Sequence, residues 1–155
     1  MTNVLDYLVS ECAWSPDRIH LFGFGQGGSV GAETALACWK KVLTRSNTSD
    51  SDIPLPRHLG SVVSVSGPLL SYPTLSAPCP TPLLFFSRAT VSRDISTAFS
   101  KGFTRVKHAV KPAGQGEGGM PRSRDEWEPI MRFWSEVLVR RMGDGLYEVM
   151  SGTAT

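Results

Sequence analysis

The sequence has no long apolar run, little cysteine and almost no net charge. No segment approaches the roughly 18 apolar residues of a membrane-spanning helix, so no membrane span is expected. The three cysteines, Cys12, Cys38 and Cys79, form no C-x-x-C spacing. A disulfide framework, a zinc site and any other metal site therefore lack support. Sixteen Lys and Arg against fourteen Asp and Glu leave a charge of +2, which is too balanced to suggest a nucleic-acid-binding protein.

The N-terminal residues also lack the basic region and the apolar run of a secretory signal. We therefore expect a reducing, cytoplasmic location for the chain. Hydrophobic residues make up 41% of the chain, which is ordinary for a globular protein. Cys12 and Cys38 fall on the apolar faces of predicted helices, and we interpret both as small core residues.

Patterns typical of helices and of strands alternate along the chain. Helices are predicted over 3–13, 30–43, 93–101 and from 123 onward, strands over 18–22, 59–65, 82–86 and 105–110, and loops over 44–58 and 112–123. The strand at 82–86 is almost continuously apolar, which indicates burial on both faces. This alternation predicts one α/β domain with a mainly parallel sheet of about four strands flanked by helices.

The last helix carries the strongest local signals. Ser123 is the expected N-cap, and Glu126 three residues later completes a capping box. Its helical spacing predicts a core-facing stripe, which consists of Trp127, Ile130, Met131, Trp134 and Leu138. An acyl-binding stripe is an alternative interpretation of Trp127, Met131 and Trp134. Gly143 is expected to end the helix.

A glycine-rich turn lies between the first predicted strand and the helix that follows it. Gly23, Gly25 and Gly28 satisfy the G-x-G-x-x-G spacing of a dinucleotide-binding turn. That interpretation also needs an acidic residue about 20 positions on, at the end of the next strand. Asp50 and Asp52 lie instead in a polar loop. A dinucleotide-binding domain therefore stays an alternative interpretation that lacks the required acidic residue.

The same turn also fits the nucleophile elbow G-x-S-x-G of the α/β-hydrolases. Its frame is Gly23-Phe24-Gly25-Gln26-Gly27, with Gly25 where the serine belongs. Over roughly residues 3–141 the sequence resembles the acyl-protein thioesterase and carboxylesterase family, also called phospholipase/carboxylesterase. The elbow and the segment Gly119-Met120-Pro121-Arg122-Ser123 carry the resemblance most specifically; the stretches 15–19, 59–66 and 81–84 add generic support.

The resemblance implies that the three positions of a catalytic triad hold residues that cannot perform the catalytic roles. Gly25 occupies the nucleophile position and has no side chain that could attack a substrate. Arg122 occupies the histidine position, and a guanidinium stays protonated near neutral pH, so it cannot act as a general base. At the aspartate position the chain has Val91, while Asp94 comes three residues late. We therefore expect no intact catalytic residue.

The family also has several strands before the elbow strand, and one of their loops supplies an oxyanion-hole donor. On this resemblance, residues 1–142 correspond to the C-terminal portion of an α/β-hydrolase domain, and 143–155 are expected to form a flexible tail. A sheet without those strands exposes an edge, through which the chain is expected to associate.

Other serines and histidines offer a possible nucleophile or base. None of these residues lies at the sequence position that a triad member has in this family. Ser66, at the end of the second predicted strand, is a better-placed hydroxyl than Ser29, which lies one turn into a helix. His20, His58 and His108 are more typical of structural histidines than of a general base.

The geometry expected to survive is an anion-binding one, formed by the first amides of the helix at Gln26 and Gly27 and by the charge of Arg122. The sequence thus predicts a catalytically degenerate, hydrolase-like binding module for a small acyl or anionic ligand, without a cofactor. An active esterase or thioesterase with non-standard residues is the alternative.

Overall fold

The structure, a computed structural model, describes residues 2–45, 58–111 and 119–138. It has an α/β fold of four parallel strands and four helices, which confirms the predicted fold class. In chain order the elements are α1 (Thr2–Ser10), β1 (His20–Phe24), α2 (Gln26–Arg45), β2 (Ser61–Val65), β3 (Leu83–Ser87), α3 (Arg93–Gly102), β4 (Val106–Val110) and α4 (Arg124–Val137).

The strands lie in the order β1-β2-β3-β4, so each strand pairs with the next one along the chain. All three pairings are parallel, with Phe22 opposite Val63 and Val63 opposite Leu84. Every residue of β2 and of β3 is buried, as expected for parallel strands covered on both faces. The burial predicted for the third strand is therefore confirmed.

Two apolar layers sandwich the sheet. On the side that we name the α2 face, Val62, Leu83 and Phe85 pack with side chains of α1, α2 and α3, among them Leu36 and Phe99. On the opposite side, the α4 face, the alternate strand residues pack against one helix; this layer consists of Val63, Val65, Leu84, Phe86, Ile130 and Phe133. The carboxyl ends of the strands emerge between these two layers.

Element boundaries differ from the sequence prediction around the glycine-rich turn. The predicted strand begins at 18, whereas Pro16–Arg18 forms a turn of 3-10 helix and β1 begins at His20. The helix predicted from 30 begins at Gln26. Glycines have low helix propensity, but here the helix starts as soon as the sharp turn at Gly25 ends, because tertiary packing outweighs propensity.

The burial predicted for Cys12 is wrong, whereas the core position predicted for Cys38 is confirmed in part, because Cys38 packs, partly buried, against the layer of the α2 face. Cys12 is exposed and Cys38 is only partly buried, whereas Cys79 is the buried cysteine. Cys12 lies beyond the end of α1, so the helical stripe that predicted its burial does not extend to it. Burial raises the pKa of the Cys79 thiol.

The structure does not describe residues 46–57 and 112–118 of the predicted loops, nor residues 139–155, which include the predicted tail 143–155. Asp50, Asp52 and Gly143 therefore also lie outside the described residues. Within the described ranges, no helix is long and apolar enough to cross a membrane.

Candidate functional site

The turn between β1 and α2 forms a sharp, well-anchored apex at Gly25. Gly25 has φ +53°, a left-handed conformation that side-chain-bearing residues rarely adopt. Its amide donates to the carbonyl of Val65 at 2.8 Å, and its carbonyl accepts from the amide of Ser29 at 3.1 Å. A Cβ placed on Gly25 would meet no atom within 4 Å. The apex therefore has the backbone of a nucleophile elbow and points into open space without a side chain.

The neighbouring glycines allow this turn to pack tightly on itself and on β2. A Cβ on Gly23 would lie 2.3 Å from the backbone of Gly27, and a Cβ on Gly28 would lie 2.4 Å from the hydroxyl oxygen of Ser64. A Cβ on Gly67 would lie 2.3 Å from the carbonyl oxygen of the apex glycine. Close approach of backbones thus explains the glycine spacing without any nucleotide ligand.

Ser66 directly follows β2, beside this turn, and has a left-handed conformation with φ +58°. Its amide donates to the carbonyl of Phe86 at 2.7 Å. Its hydroxyl oxygen is buried and has no hydrogen-bond partner among the described residues. Ser29 is also buried, in the first turn of α2. The structure therefore brings Ser66 close to the elbow through Gly67, but pairs its hydroxyl with no base.

Arg122 lies on the loop before α4, with an exposed side chain. Its backbone amide donates to the carboxylate of Glu126 at 2.6 Å. Arg122, which we predicted to stand at the histidine position of the family that the sequence resembles, is therefore held by its backbone, and its side chain faces solvent.

Glu126 is the centre of a polar cluster that the sequence showed only in part. The predicted capping box with Ser123 is present in both directions, which confirms it. In addition, Arg88 Nε donates to Glu126 Oε1 at 2.9 Å, and the two side chains are each only 11% exposed. The amide of Arg122, followed by the guanidinium of Arg88 and the amide of Ser123, lowers the pKa of the Glu126 carboxyl, although desolvation opposes this. Arg88 follows β3, so this ion pair ties the loop after β3 to the start of α4.

The two candidates for the acid position lie apart from this cluster. Val91 packs, half-buried, against the core of the α2 face. Asp94 is exposed in the first turn of α3, where its negative charge suits the helix dipole. Neither provides a buried carboxylate for a catalytic base.

The three histidines contact neighbouring groups of the fold, and none of them is fully buried. The Nδ1 atom of His20 lies 2.9 Å from the hydroxyl of Ser61, and burial lowers the pKa of His20. His58 contacts the carbonyl of Leu59. His108, on β4, packs the edge of its ring against Phe85 and Phe99, and desolvation lowers its pKa.

The sheet order bears on the dinucleotide alternative. Dinucleotides bind where the strand order reverses, and the four strands in the described part of the chain, in the order β1-β2-β3-β4, contain no reversal. The end of β2 carries Ser66 and Gly67 rather than an acidic residue. Among the described ranges, no group of three or more His, Cys, Asp or Glu could hold a metal ion.

The parallel four-stranded sheet flanked by helices is consistent with a hydrolase-like α/β protein. Consistent with this class, the chain is 33% identical over 144 residues to an uncharacterized hydrolase from Mycosarcoma maydis. That match takes in 90% of this chain and 49% of the relative, so the chain spans about half the length of the curated relative it matches. No family model and no solved structure matches the chain.

Proposed function

We propose that this chain is a catalytically degenerate member of the hydrolase-like α/β proteins, of the acyl-protein thioesterase and carboxylesterase type, that acts at most as a binding module. One observation carries this proposal: the elbow apex is Gly25, which has an elbow conformation but no nucleophile. Nucleophilic catalysis needs a side chain that is activated by a base within hydrogen-bond reach. Arg122 does not meet that requirement, and neither does the hydroxyl of Ser66, which has no hydrogen-bond partner in the described part of the chain.

The ligand proposed for this module is a small acyl or anionic compound. Gln26 and Gly27 begin α2, so their amides lie in the first turn and lack intrahelical acceptors. Such amides favour negative charge, and the exposed guanidinium of Arg122 adds a cation that suits a carboxylate or phosphate. The open space at Gly25 leaves room beside these amides.

Ester hydrolysis tests the degenerate elbow. Purified protein and the variant Gly25→Ser are assayed with p-nitrophenyl acetate and butyrate and labelled with a fluorophosphonate probe. Gly27→Ser is the matched control, because a Cβ there also meets nothing within 4 Å but lies past the apex. We expect background hydrolysis and no labelling from all three proteins.

Two results would contradict the proposal in different ways. Turnover by the unaltered chain would show an active hydrolase, and loss of that turnover in Ser66→Ala would assign it to the strained serine. Activity gained only in Gly25→Ser would show that a usable base and oxyanion hole exist, so the interpretation of Arg122 would be wrong.

Thermal melting at constant ionic strength tests the anion site. Phosphate and acetate are each compared with chloride, and we expect the melting temperature to rise in their presence. Arg122→Ala should remove that rise, whereas Arg124→Ala, an exposed neighbour on α4, should keep it. An equal rise in both variants, or none in the unaltered chain, would remove the anion site.

A further inference from the structure

The outer side of β4 is a sheet edge. The backbone carbonyl of Arg105 and the backbone amide of Lys111 both bond to β3, at 2.9 Å each. Because backbone groups alternate in direction along a strand, the N–H and C=O groups of Val106, His108 and Val110 point away from β3. Within the described ranges, no strand pairs with this outer side. We name these outward groups and the side chains of residues 104–111 the β4 edge.

The β4 edge is basic. Residues 104–111 contain Arg105, Lys107 and Lys111 but no Asp or Glu. Lys107 pairs with Glu136 of α4. Arg105 and Lys111 are exposed, and neither makes an ion pair with a described residue. Two cations, one at each end of the strand, therefore lack a carboxylate.

The side chains of β4 leave the outward backbone groups accessible. The ring of His108 packs inward, edge-on against Phe85 and Phe99 of the α2 face. The ammonium group of Lys107 is held on the opposite face by its partner in α4. Val110 is 40% exposed, so a strand added here would also cover apolar surface.

We infer that the β4 edge binds an extended, acidic segment of a partner protein, which joins the sheet as its outer strand. Outward N–H and C=O groups are satisfied by an extended peptide, as in other cases of strand addition. Carboxylates at alternate positions of that peptide would lie beside Arg105 and Lys111. A second copy of the chain fits less well, because pairing two such edges would bring like charges together. This surface is separate from the elbow, so the inference goes beyond the proposed function and is tested independently of it.

Hydrogen exchange of the backbone amides, measured by NMR, tests the backbone part of this inference. The full chain is measured alone and with a short capped peptide of alternating glutamate and valine. In the chain alone, we expect the amides of Val106, His108 and Val110 to exchange quickly, because no described strand accepts from them. Saturating peptide should slow their exchange by at least about tenfold. A control peptide of alternating lysine and valine should leave it unchanged.

Variants separate strand pairing from charge. Val110→Pro removes an outward N–H and spares the bonds to β3, so it should weaken peptide binding by at least about tenfold; Val110→Thr keeps that N–H and is the matched control. Lys111→Glu should weaken binding by about fivefold, whereas Lys40→Glu, at an exposed lysine of α2, should not. Fluorescence anisotropy of a labelled peptide measures the affinities. Protection of the amides of Lys107 and Ala109, which face β3, shows that each variant keeps the sheet.

Four results would overturn the inference. Slow exchange of the outward amides in the chain alone would show that the edge is already covered. Protection that grows over about a hundredfold increase in chain concentration would assign the edge to a second copy. Undiminished binding by Val110→Pro with its sheet intact would show that charge alone holds the peptide. Tighter binding of single-stranded RNA than of the peptide would assign the basic edge to a nucleic acid.

Discussion

At the scale of the residue, the elbow is specified by glycines of two kinds. Gly23 is required because its backbone approaches that of Gly27 too closely for a Cβ, while Gly25 is suited to its left-handed conformation. Gly27 has neither constraint. Glycine is therefore needed for different physical reasons at neighbouring positions of this turn. Alanine substitutions can distinguish these reasons.

Gly23→Ala should destabilise the protein by about 1–3 kcal/mol, because its Cβ would force backbone atoms apart. Gly27→Ala is the matched control; it should be neutral or stabilise by up to about 1 kcal/mol, since alanine loses less conformational entropy in a helix. Urea unfolding measures both. Equal midpoints for the two variants would refute the close-packing account of this turn.

Glu126 makes stability depend on pH. Its folded-state pKa is lowered, so its contribution is present above the unfolded-state value and is lost as the pH falls through the folded-state value. We expect the free energy of unfolding to decrease as the pH falls below about 4.5. Glu126→Gln should flatten this part of the profile, and the exposed control Glu128→Gln should preserve it. Urea titrations across the acid range measure the slope, and an unchanged slope in Glu126→Gln would contradict the assignment.

At the scale of the element, the stripe predicted for α4 is wrong at two of its five positions. Ile130 is buried, and Trp127 and Trp134 are partly buried, but Met131 is 58% exposed and Leu138 is also exposed. The omitted residue Phe133 is buried instead. Glu126 is also buried, where it pairs with Arg88. The buried face of α4 is therefore rotated relative to the face that the apolar spacing predicted.

Alanine substitutions in α4 distinguish the two faces. Phe133→Ala should cost about 3–5 kcal/mol, because it leaves a cavity in the layer of the α4 face. Met131→Ala should change the free energy of unfolding by less than about 0.5 kcal/mol, as is usual for a surface position. Chemical denaturation measures both values, and a large cost for Met131→Ala would restore the predicted stripe.

At the scale of the whole molecule, β2 and β3 join the two apolar layers. Each strand contributes alternate side chains to the α2 face and to the α4 face. If β2 and β3 separate, both layers lose packed side chains at the same time. We therefore expect the described part of the chain to unfold as one unit.

Phe99→Ala and Ile130→Ala test this coupling, since these fully buried side chains lie on opposite faces. Each should lower the unfolding midpoint, at a cost of about 2–5 kcal/mol. In each variant, far-UV circular dichroism and tryptophan fluorescence should report the same midpoint. Separate midpoints for the two probes would show that the layers melt independently.

Sequence patterns predicted the local features well. The number of strands, the capping box of α4 and the glycine apex follow from short-range rules of periodicity, capping and backbone conformation. The start of α2 was misplaced because the glycines that open it carry no apolar periodicity. Contacts between distant residues, such as Arg88 with Glu126, have no signal in a single sequence.

The sequence by itself determined the α/β class and the absence of a nucleophile at Gly25, because both depend on residue type and local spacing. Tertiary structure alone decided which side chains meet across the sheet. It buried Phe133 rather than Met131, left the hydroxyl of Ser66 without a partner among the described residues, and exposed Phe22 and Phe24 on β1. Burial and pairing depend on how elements pack, and the free energy of that packing is shared among residues far apart in the chain.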